Sequence, residues 1–414
     1  MTEDTALLGQ GTEVAPQYLF NPAAEDIPEA ISIRFNQIVY ELQRAGRDVT
    51  VLSLGEAFFD LPLFDFTKLN YVKGYHYSDS QGLPELRQKI AAHYARYGVT
   101  ADPDTEILIS AGSKALLYMC LLATLQPGEE VVVHEPCWLS YPHQARLCGA
   151  KTRYIPYHVP VKEFASFLTA RTRVCILNNP NNPAGRLYSR EELETIYGAC
   201  VHRGIYLVVD EAYSDFILDQ PFPSAGTLSE ERNHLIVVNS LSKNMGMSGW
   251  RIGYMIANPE VLRVILKINQ HLITCAPTIL QQYCSTYFDD ILAHTLPQVR
   301  AVVEKRNRVS EKLDALGLQR VAGGSTFYFF LSLENYPGSS MEFSTELLRK
   351  HAVATVPGSA YGKSTDRFVR VSIGTEPMER IEAALERIRE MIRGTRTSGV
   401  VFSSEDALDE RPES

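Results

Sequence analysis

The chain has 414 residues, of which 45% are hydrophobic and 21% charged, as is ordinary for a soluble enzyme of two packed lobes. Its 40 basic and 49 acidic residues leave a formal charge of −9, which disfavours nucleic acid as a partner because nucleic-acid-binding proteins usually carry a basic face. Seven cysteines are scattered without CxxC spacing, so the sequence predicts reduced core thiols, no disulfide framework and no metal site.

The amino-terminal residues predict a cytoplasmic protein. Residues 1–15 lack the basic start and the apolar stretch of a signal peptide, and Glu3 and Asp4 argue against a transit peptide. We interpret residues 1–27 as an N-terminal arm. The longest apolar run, 115–125, is too short to span a bilayer and predicts a buried helix, so no membrane insertion is expected.

Periodicity predicts a large domain of α/β class at 61–289. Strand-like apolar runs alternate there with amphipathic helical runs, which indicates βα units and a mostly parallel central sheet sandwiched by helices. The predicted strands are 106–110, 130–134, 173–177, 205–209 and 235–239, and the predicted helices include 114–125 and 190–203.

From about residue 302 the pattern changes and predicts a second, smaller α+β domain. Its predicted helices are 302–316, 344–351 and 377–393, and its predicted strands are 326–333 and 368–373. Residues 28–45 also show helical spacing ahead of an apolar run, so we assign 28–60 together with 290–394 to this domain. Residues 395–414, rich in Ser, Thr, Asp and Glu, predict a disordered tail.

Lys243 is the most informative single residue. It lies among hydroxyls and glycines in 240–253, eight residues before Arg251, and directly after the predicted strand 235–239. Open α/β sheets bind ligands at the carboxyl ends of their strands, and a lysine there can form a Schiff base with a carbonyl cofactor while its neighbours hold a phosphate. The alternative is a solvated lysine in a surface loop.

Asp210 ends another predicted buried strand, and Tyr213 follows it in the next turn. A carboxylate at this place can hold a pyridine nitrogen protonated, and a phenol can hydrogen-bond the 3-oxygen of the same ring. The alternative for Asp210 is to cap the N-terminus of a following helix.

Two further loops follow predicted strands at the same edge of the sheet. Residues 178–185 contain prolines that stiffen a loop of asparagines and hold an amide in place. Residues 109–116 pass from strand to helix through small residues, so the N–H groups of 111–114 and the Ser113 hydroxyl can bind a phosphate. Neither GxxxxGK[ST] nor GxGxxG is present, so a single phosphate on a small cofactor fits better than a nucleoside triphosphate or dinucleotide.

These segments resemble the class I/II branch of the pyridoxal 5′-phosphate enzymes of aspartate aminotransferase fold type (fold type I). The resemblance covers nearly the whole chain. Its motifs occur in the family's order: Gly55-Glu56, Tyr77 with Gly82-Leu83, Ala111 to Lys114, Pro136-Cys137-Trp138, Asn182-Pro183-Ala184-Gly185, Asp210-x-x-Tyr213, Ser240-x-Ser242-Lys243, Arg251 and Arg370.

The resemblance implies a role for each of these residues. Lys243 forms the Schiff base with pyridoxal 5′-phosphate, Asp210 pairs with the pyridinium nitrogen, and the 3-oxygen is bonded by Asn182 and Tyr213. Trp138 stacks on the ring, although without its motif it reads equally well as a core aromatic. Tyr77 reaches the phosphate of the neighbouring subunit, so the active unit is a homodimer. The remaining phosphate-binding residues are Ala111, Gly112, Ser113, Lys114, Ser240, Ser242 and Arg251.

The substrate side is also implied. Arg370 lies in a strand pattern where a buried charge needs a partner, and an arginine fork suits a carboxylate. The family uses the matching arginine for the substrate α-carboxylate, with Gly55 and Asn182 beside it, while Arg367 is expected to be solvated. The chain departs from the family at Ala184, where threonine is usual, and at 323–328, which leaves the substrate preference open.

The sequence thus predicts an aminotransferase that moves an amino group between an L-amino acid and a 2-oxo acid by a ping-pong mechanism, with Lys243 as proton carrier. A β-lyase, decarboxylase or ring-forming synthase of the same fold is the alternative, and a non-catalytic regulator that binds the cofactor is a further one. No arginine occurs between His271 and Ser285, which favours neutral or aromatic amino acids over aspartate.

Overall fold

The computed structural model describes residues 19–218, 220–334 and 336–394. Most of the predicted N-terminal arm, residues 1–18, and the predicted tail, 395–414, lie outside the described residues. The strands are β1 Thr50–Val51, β2 Ile107–Ser110, β3 Glu130–His134, β4 Lys151–Ile155, β5 Thr172–Asn178, β6 Tyr206–Asp210, β7 Leu235–Ser240, β8 Gly253–Ala257, β9 Tyr328–Ser332, β10 Val353–Ala354, β11 Val356–Pro357 and β12 Phe368–Ser372.

Helices connect and cover these strands. The α-helices are α1 Pro22–Glu25, α2 Ile31–Arg44, α3 Tyr71–Gly74, α4 Pro84–Ala95, α5 Ser113–Thr124, α6 Ser140–Leu147, α7 Arg190–Val201, α8 Leu241–Asn244, α9 Pro259–Leu272, α10 Thr278–Thr286, α11 Phe288–Leu316, α12 Ser340–His351 and α13 Met378–Gly394. Short 3₁₀ helices occur at Phe66–Lys68, Val161–Phe167, Ala225–Thr227, Ser248–Trp250 and Gly358–Tyr361.

A seven-stranded sheet forms the centre of the molecule, with strand order β2-β8-β7-β6-β5-β3-β4. Neighbouring strands are parallel except at β8, which runs antiparallel to both β2 and β7. The predicted α/β class with a mostly parallel sheet is confirmed. The strands β4 and β8 were not predicted: β4 carries Lys151 and Arg153 at the sheet edge, and β8 follows directly on the glycine-rich lysine segment.

Both faces of this sheet are buried, which explains why its strands read as continuous apolar runs. Along β3, Val132 packs into one hydrophobic cluster, whereas Val131 and Val133 pack into the cluster on the opposite face. In β6, Leu207 and Val209 face the first cluster and Val208 faces the second. Helices therefore cover the sheet on two sides and leave its strand ends for a ligand.

The carboxyl-terminal part forms a smaller layer of strands and helices. This layer contains an antiparallel sheet of order β11-β12-β9 and the parallel pair β1 and β10. Through β1, the segment around Thr50 pairs with the carboxyl-terminal part of the chain at Val353 and Ala354. A third cluster, which includes Leu313, Phe329 and Ile388, packs α11, β9 and α13 together. The division at 28–60, 61–289 and 290–394 stays a prediction.

Helix α11 is longer than the predicted 302–316. It has 29 residues and contains Pro297, a residue type that usually kinks or ends a helix. Phe288 and Ile291 at its start pack into a cluster of the large sheet, whereas Leu313 near its end packs into the cluster of the smaller layer. Tertiary packing at both ends thus keeps one helix continuous through the proline. In the part of the chain that the structure describes, no helix has the length and apolarity needed to cross a bilayer.

Candidate active site

A cleft of about 540 Å³ opens where β5, β6 and β7 end. Asn178 and Asp210 are paired in register at the ends of adjacent strands, and Ser240 ends the next strand. The cleft is lined by Ser32, Asn36, Ser53, Gly55, Glu56, Ser113, Lys114, Trp138, Leu139, Asn178, Asn182, Asp210, Ala212, Tyr213, Ser240, Ser242, Lys243, Ser248, Gly249, Arg251, Tyr328 and Arg370. A larger cavity of about 770 Å³, lined by Tyr157, Leu218 and Arg320 among others, contains none of the predicted site residues.

Lys243 lies in α8, immediately after β7, and its amine donates a 2.6 Å hydrogen bond to the carbonyl oxygen of Gly55. Burial lowers the pKa of this amine to about 8; the charge of Glu56 acts in the opposite direction, and Arg370 and Arg251 lower it further. A substantial fraction of the amine is therefore neutral near physiological pH. A neutral buried amine is the form that attacks a carbonyl.

Asp210 is buried at the end of β6, and its carboxylate accepts hydrogen bonds from two neutral donors. The Tyr141 hydroxyl lies 2.8 Å from Oδ2 and the Ala212 N–H lies 3.2 Å from Oδ1. Burial raises the pKa of Asp210 to about 6, while the two donors and the Lys243 charge lower it. Residues 212–215 form a turn and not a helix, so the alternative of a helix-capping aspartate is wrong.

Asn182 and Tyr213 meet beside this carboxylate. The Asn182 amide donates to the Tyr213 hydroxyl at 3.3 Å, and the Tyr213 hydroxyl lies 2.9 Å from that of Tyr328. Asn178 fixes the loop of Asn182, because its side chain accepts from the Asn182 N–H at 2.6 Å and donates to the Asp210 carbonyl at 2.8 Å. Two polar groups for a ring oxygen are thus held on one side of the cleft.

A corner suited to a phosphate lies at the start of α5. No side chain caps this helix N-terminus, and Gly112 precedes it with a φ of +86°. A Cβ on Gly112 would lie 2.4 Å from Arg251 Nη2, so only glycine lets the guanidinium approach. Ser113, Lys114, Ser240 and Ser242 line the cleft with Arg251, whereas Ala111 and Gly112 do not line it.

Arg370 supplies a buried cation on the opposite side. Its guanidinium donates to the Ser53 carbonyl at 2.6 Å and to Asn182 Oδ1 at 3.2 Å, and its Nε has no hydrogen-bond partner within the described residues. It lies 4.7 Å from the centre of the Tyr328 ring. No carboxylate within the described ranges forms an ion pair with it, although the side chain is 97% buried (3% exposed). An uncompensated buried arginine of this kind suits a carboxylate ligand.

Trp138 lines the cleft of its own chain, whereas Tyr77 does not. Trp138 is half-buried in the cleft, with the Lys114 amine 5.1 Å from its ring centre. Tyr77 is 84% exposed and does not line the cleft of its own chain. Arg367 is exposed but not merely solvated, because its guanidinium donates to the carbonyl oxygens of Gly338 and Glu334 at 2.8 and 2.7 Å.

Several residues that line the cleft, or that contact a residue lining it, were not assigned a role from the sequence. Tyr328 and Glu56 stand inside quoted motifs, so a signal for them existed. Tyr141 follows Trp138 by three residues, which places both on one side of a helical turn, but nothing in the sequence links it to Asp210. The other unassigned residues that line the cleft are Ser32, Asn36, Ser53, Leu139, Asn178, Ala212, Ser248 and Gly249.

The family model for aminotransferases of class I and II matches residues 72–388. The chain belongs to this family. An aspartate aminotransferase of Thermotoga maritima is 31% identical over 380 residues, which cover 89% of the chain and 97% of that protein. A probable aspartate/prephenate aminotransferase of Aquifex aeolicus is 33% identical over 377 residues, 84% of the chain and 94% of that protein.

A solved structure shares the fold of this aminotransferase. The crystal structure of an aromatic aminotransferase from Pyrococcus horikoshii superposes with a TM-score of 0.79 at 30% identity, covering 86% of the chain and 99% of that protein. Members of the family use pyridoxal 5′-phosphate, and the chain is a pyridoxal-phosphate-dependent aminotransferase.

The residues of the cleft fit this cofactor. A Cβ at Gly112 would fill the corner beside Arg251, a buried carboxylate with neutral partners stands at Asp210, and an amine with a pKa lowered to about 8 stands at Lys243. Each part of the cofactor (phosphate, ring nitrogen and aldehyde) has a group of matching chemistry.

Proposed function

We propose that this aminotransferase moves an amino group from an L-amino acid to a 2-oxo acid in two half-reactions, with Lys243 as the cofactor-binding lysine and the proton carrier. The observation that carries the proposal is the presence in one cleft of the Lys243 amine, the buried Asp210 carboxylate and the unpaired Arg370. The amine can bind the cofactor aldehyde, the carboxylate can keep the cofactor ring electron-withdrawing, and the arginine can orient the substrate.

The bound cofactor supplies an aldehyde for the amino group and a ring that accepts electron density from the substrate Cα. Asp210, when ionised, would hold a proton on the ring nitrogen, and Asn182 and Tyr213 would hydrogen-bond the ring oxygen. Arg370 binds the α-carboxylate. The Lys243 amine, with its lowered pKa, takes the α-proton and later returns it, a general acid–base role.

Arg370 aligns the substrate through a two-pronged contact. Its guanidinium is already held by the Ser53 carbonyl and Asn182, so little side-chain freedom is lost when a carboxylate binds. Gly55 leaves room beside it, since a Cβ there would lie 3.3 Å from the Tyr328 hydroxyl. The carboxylate therefore has one cation and one small residue at its binding place.

Neutral or aromatic amino acids are the proposed substrates. Relatives are named for aspartate, for aspartate and prephenate, and for aromatic amino acids, so the family accommodates both kinds of side chain. The segment 271–285 contains no arginine to receive a second carboxylate. A much higher kcat/KM for aspartate than for phenylalanine, methionine or alanine contradicts this preference.

The active unit is proposed to be a cytoplasmic homodimer with shared sites. Large side chains are exposed together in the segment before α4: Phe58, Leu63, Val72, Tyr75 and Tyr77 are 67 to 88% exposed. Exposed apolar groups in this density mark protein interfaces. The seven cysteines are all free thiols, which fits a reducing compartment.

Screening donors and acceptors tests the reaction. Holoenzyme with an amino acid alone should release one 2-oxo acid per site, and sustained turnover should require an added 2-oxo acid. Release of carbon dioxide, ammonia or thiol without an acceptor would indicate a decarboxylase or lyase instead. The absence of any absorbance change with every amino acid would favour a non-catalytic regulator. Lys243→Ala should abolish turnover.

A further inference from the structure

Tyr141 contacts two of the groups that are proposed to face the cofactor ring. It lies in the first turn of α6 and is 1% exposed. Its hydroxyl is 2.8 Å from Asp210 Oδ2, and its ring packs edge-on against Trp138 with ring centres 5.2 Å apart. One side chain therefore touches both the carboxylate and the indole that are proposed to hold the ring.

The place of Tyr141 is fixed by its own helix. Its N–H donates to the Trp138 carbonyl at 3.2 Å, which closes a tight turn and sets the spacing between the two aromatic residues. One turn further on, the Gln144 amide donates to the Lys114 carbonyl at 2.9 Å. This bond ties α6 to the start of α5, where the phosphate corner lies.

The hydrogen bond to Asp210 has a defined direction. Burial, together with the Asp210 charge, raises the pKa of the Tyr141 phenol well above its usual value, so the phenol keeps its proton at any working pH. An ionised carboxylate only accepts. Tyr141 therefore donates, and a donor to a carboxylate stabilises its charged form.

The hydrogen bond from Tyr141 counteracts the effect of burial, which is the largest influence on the pKa of Asp210. Burial raises the pKa of Asp210 to about 6, and the Tyr141 hydroxyl is first among the groups that lower it. The Lys243 charge also lowers this pKa, and the nearby acids Glu211 and Tyr213 each interact electrostatically with Asp210. Among these neighbours, Tyr141 is the side chain that donates a hydrogen bond to it.

We propose that Tyr141 is a positioning residue for transamination, which keeps Asp210 ionised and aimed at the ring nitrogen while it supports Trp138 against the ring. The inference rests on the proposed role of Asp210. Tyr141 does not line the cleft, so it acts through Asp210 and not on the substrate.

Tyr141→Phe tests this because it removes the hydroxyl and leaves the ring in place. Loss of the donor should raise the pKa of Asp210 by about one unit. The equilibrium binding of pyridoxal 5′-phosphate to the cofactor-free enzyme should then weaken about fivefold at pH 6 and change little at pH 8, where Asp210 is ionised in both proteins. In a plot of kcat/KM against pH, the pH at which activity falls on the acid side should be about one unit higher in Tyr141→Phe than in the wild type.

Tyr188→Phe is the matched control. Tyr188 is equally buried, its hydroxyl lies 2.8 Å from His134 Nδ1, and it does not line the cleft. Its replacement should leave the pH dependence of cofactor binding unchanged. A loss for Tyr141→Phe that is the same at pH 6 and pH 8, or no loss at all, overturns the inference.

Asp210→Asn separates this inference from the proposed function. If Tyr141 acts through Asp210, Tyr141→Phe should add no further pH-dependent loss in the Asp210→Asn background, whereas two independent structural effects would add. Unchanged cofactor affinity and turnover in Asp210→Asn itself would overturn the proposed role of Asp210, whatever Tyr141 does.

Discussion

The amine of Lys243 and the carbonyl oxygen of Gly55 are joined by a 2.6 Å hydrogen bond across the cleft. The Arg370 guanidinium bonds the Ser53 carbonyl in the same short segment. Leu52, just before it, donates to the Ala354 carbonyl and accepts from the Ser372 N–H, so this segment is fixed to the strands of the smaller layer. The reactive amine and the carboxylate-binding arginine are therefore positioned by one piece of backbone.

The rate at which the cofactor-free enzyme captures pyridoxal 5′-phosphate should depend on pH through Lys243. Burial lowers the pKa of this amine to about 8, so the nucleophilic neutral form grows as the pH rises to that value. The second-order rate constant should rise by about tenfold per pH unit below about pH 7.5 and level off above pH 8.5. Stopped-flow absorbance measures it.

Lys243→Ala is the control for this rate. It should still bind the cofactor reversibly, but borohydride treatment should leave no covalent adduct detectable by mass spectrometry. A capture rate that stays flat between pH 6 and pH 8 would show that the amine is already neutral, against the proposed pKa.

Arg370→Lys should raise the KM for amino acids about 100-fold and change kcat less, because a lysine keeps the charge but loses the two-pronged contact. Arg367→Lys is the comparison, because Arg367 lies one residue before β12, the strand that carries Arg370, but does not line the cleft. Steady-state kinetics with one good donor measure both. Equal KM increases in the two variants would mean that Arg370 does not hold the substrate carboxylate.

The sequence was sufficient to locate the centre of the site for a topological reason. Asn182, Asp210 and Lys243 each follow a buried strand, and the carboxyl ends of neighbouring parallel strands meet at one edge of a sheet. Periodicity found the strands, so it also found their ends. The side chains of Asn182, Asp210 and Lys243, which follow those strand ends, must therefore lie close together.

Other parts of the site depend on tertiary contacts that have no local signal. Tyr141, which hydrogen-bonds Asp210, lies in helix α6, 69 residues earlier in the chain. Tyr328 stands in the quoted segment 323–328, but nothing in that segment shows that its hydroxyl meets Tyr213, 115 residues earlier in the chain. Likewise, Pro297 does not end α11, because packing at both ends of that helix outweighs the local cost of a proline.

Gly112→Ala should weaken cofactor binding. The φ of +86° at Gly112 is strained for any residue with a side chain, and the new Cβ would lie 2.4 Å from Arg251 Nη2 and displace the guanidinium from the phosphate corner. The Kd for pyridoxal 5′-phosphate should rise about tenfold or more, which is about 1.4 kcal/mol. Equilibrium dialysis measures it.

Gly198→Ala is the matched control for that substitution. Gly198 lies inside α7, and a Cβ there would meet nothing within 4 Å. The change should stabilise the enzyme by about 0.5–1 kcal/mol in denaturant unfolding and leave cofactor affinity unaltered. Unchanged affinity in Gly112→Ala would refute the assignment of this corner to the phosphate.

Tyr77 gives the sharpest test of the shared active site. It is 84% exposed in one chain, as is its neighbour Tyr75 at 83%, and neither lines the cleft. If Tyr77 reaches the phosphate bound by the other subunit, Tyr77→Ala should lower cofactor affinity and activity in the dimer. Tyr75→Ala should not. Size-exclusion chromatography must show that both variants remain dimeric.

Mixed dimers of Lys243→Ala and Tyr77→Ala chains then decide where Tyr77 acts. Each homodimer lacks one essential group in both of its sites. In the mixed dimer, the chain that keeps Lys243 faces the chain that keeps Tyr77, so one of two sites is intact. Random exchange of subunits makes half of the dimers mixed, and about a quarter of the wild-type activity should return. If Tyr77 served its own chain, no site in the mixture would be complete and no activity would return.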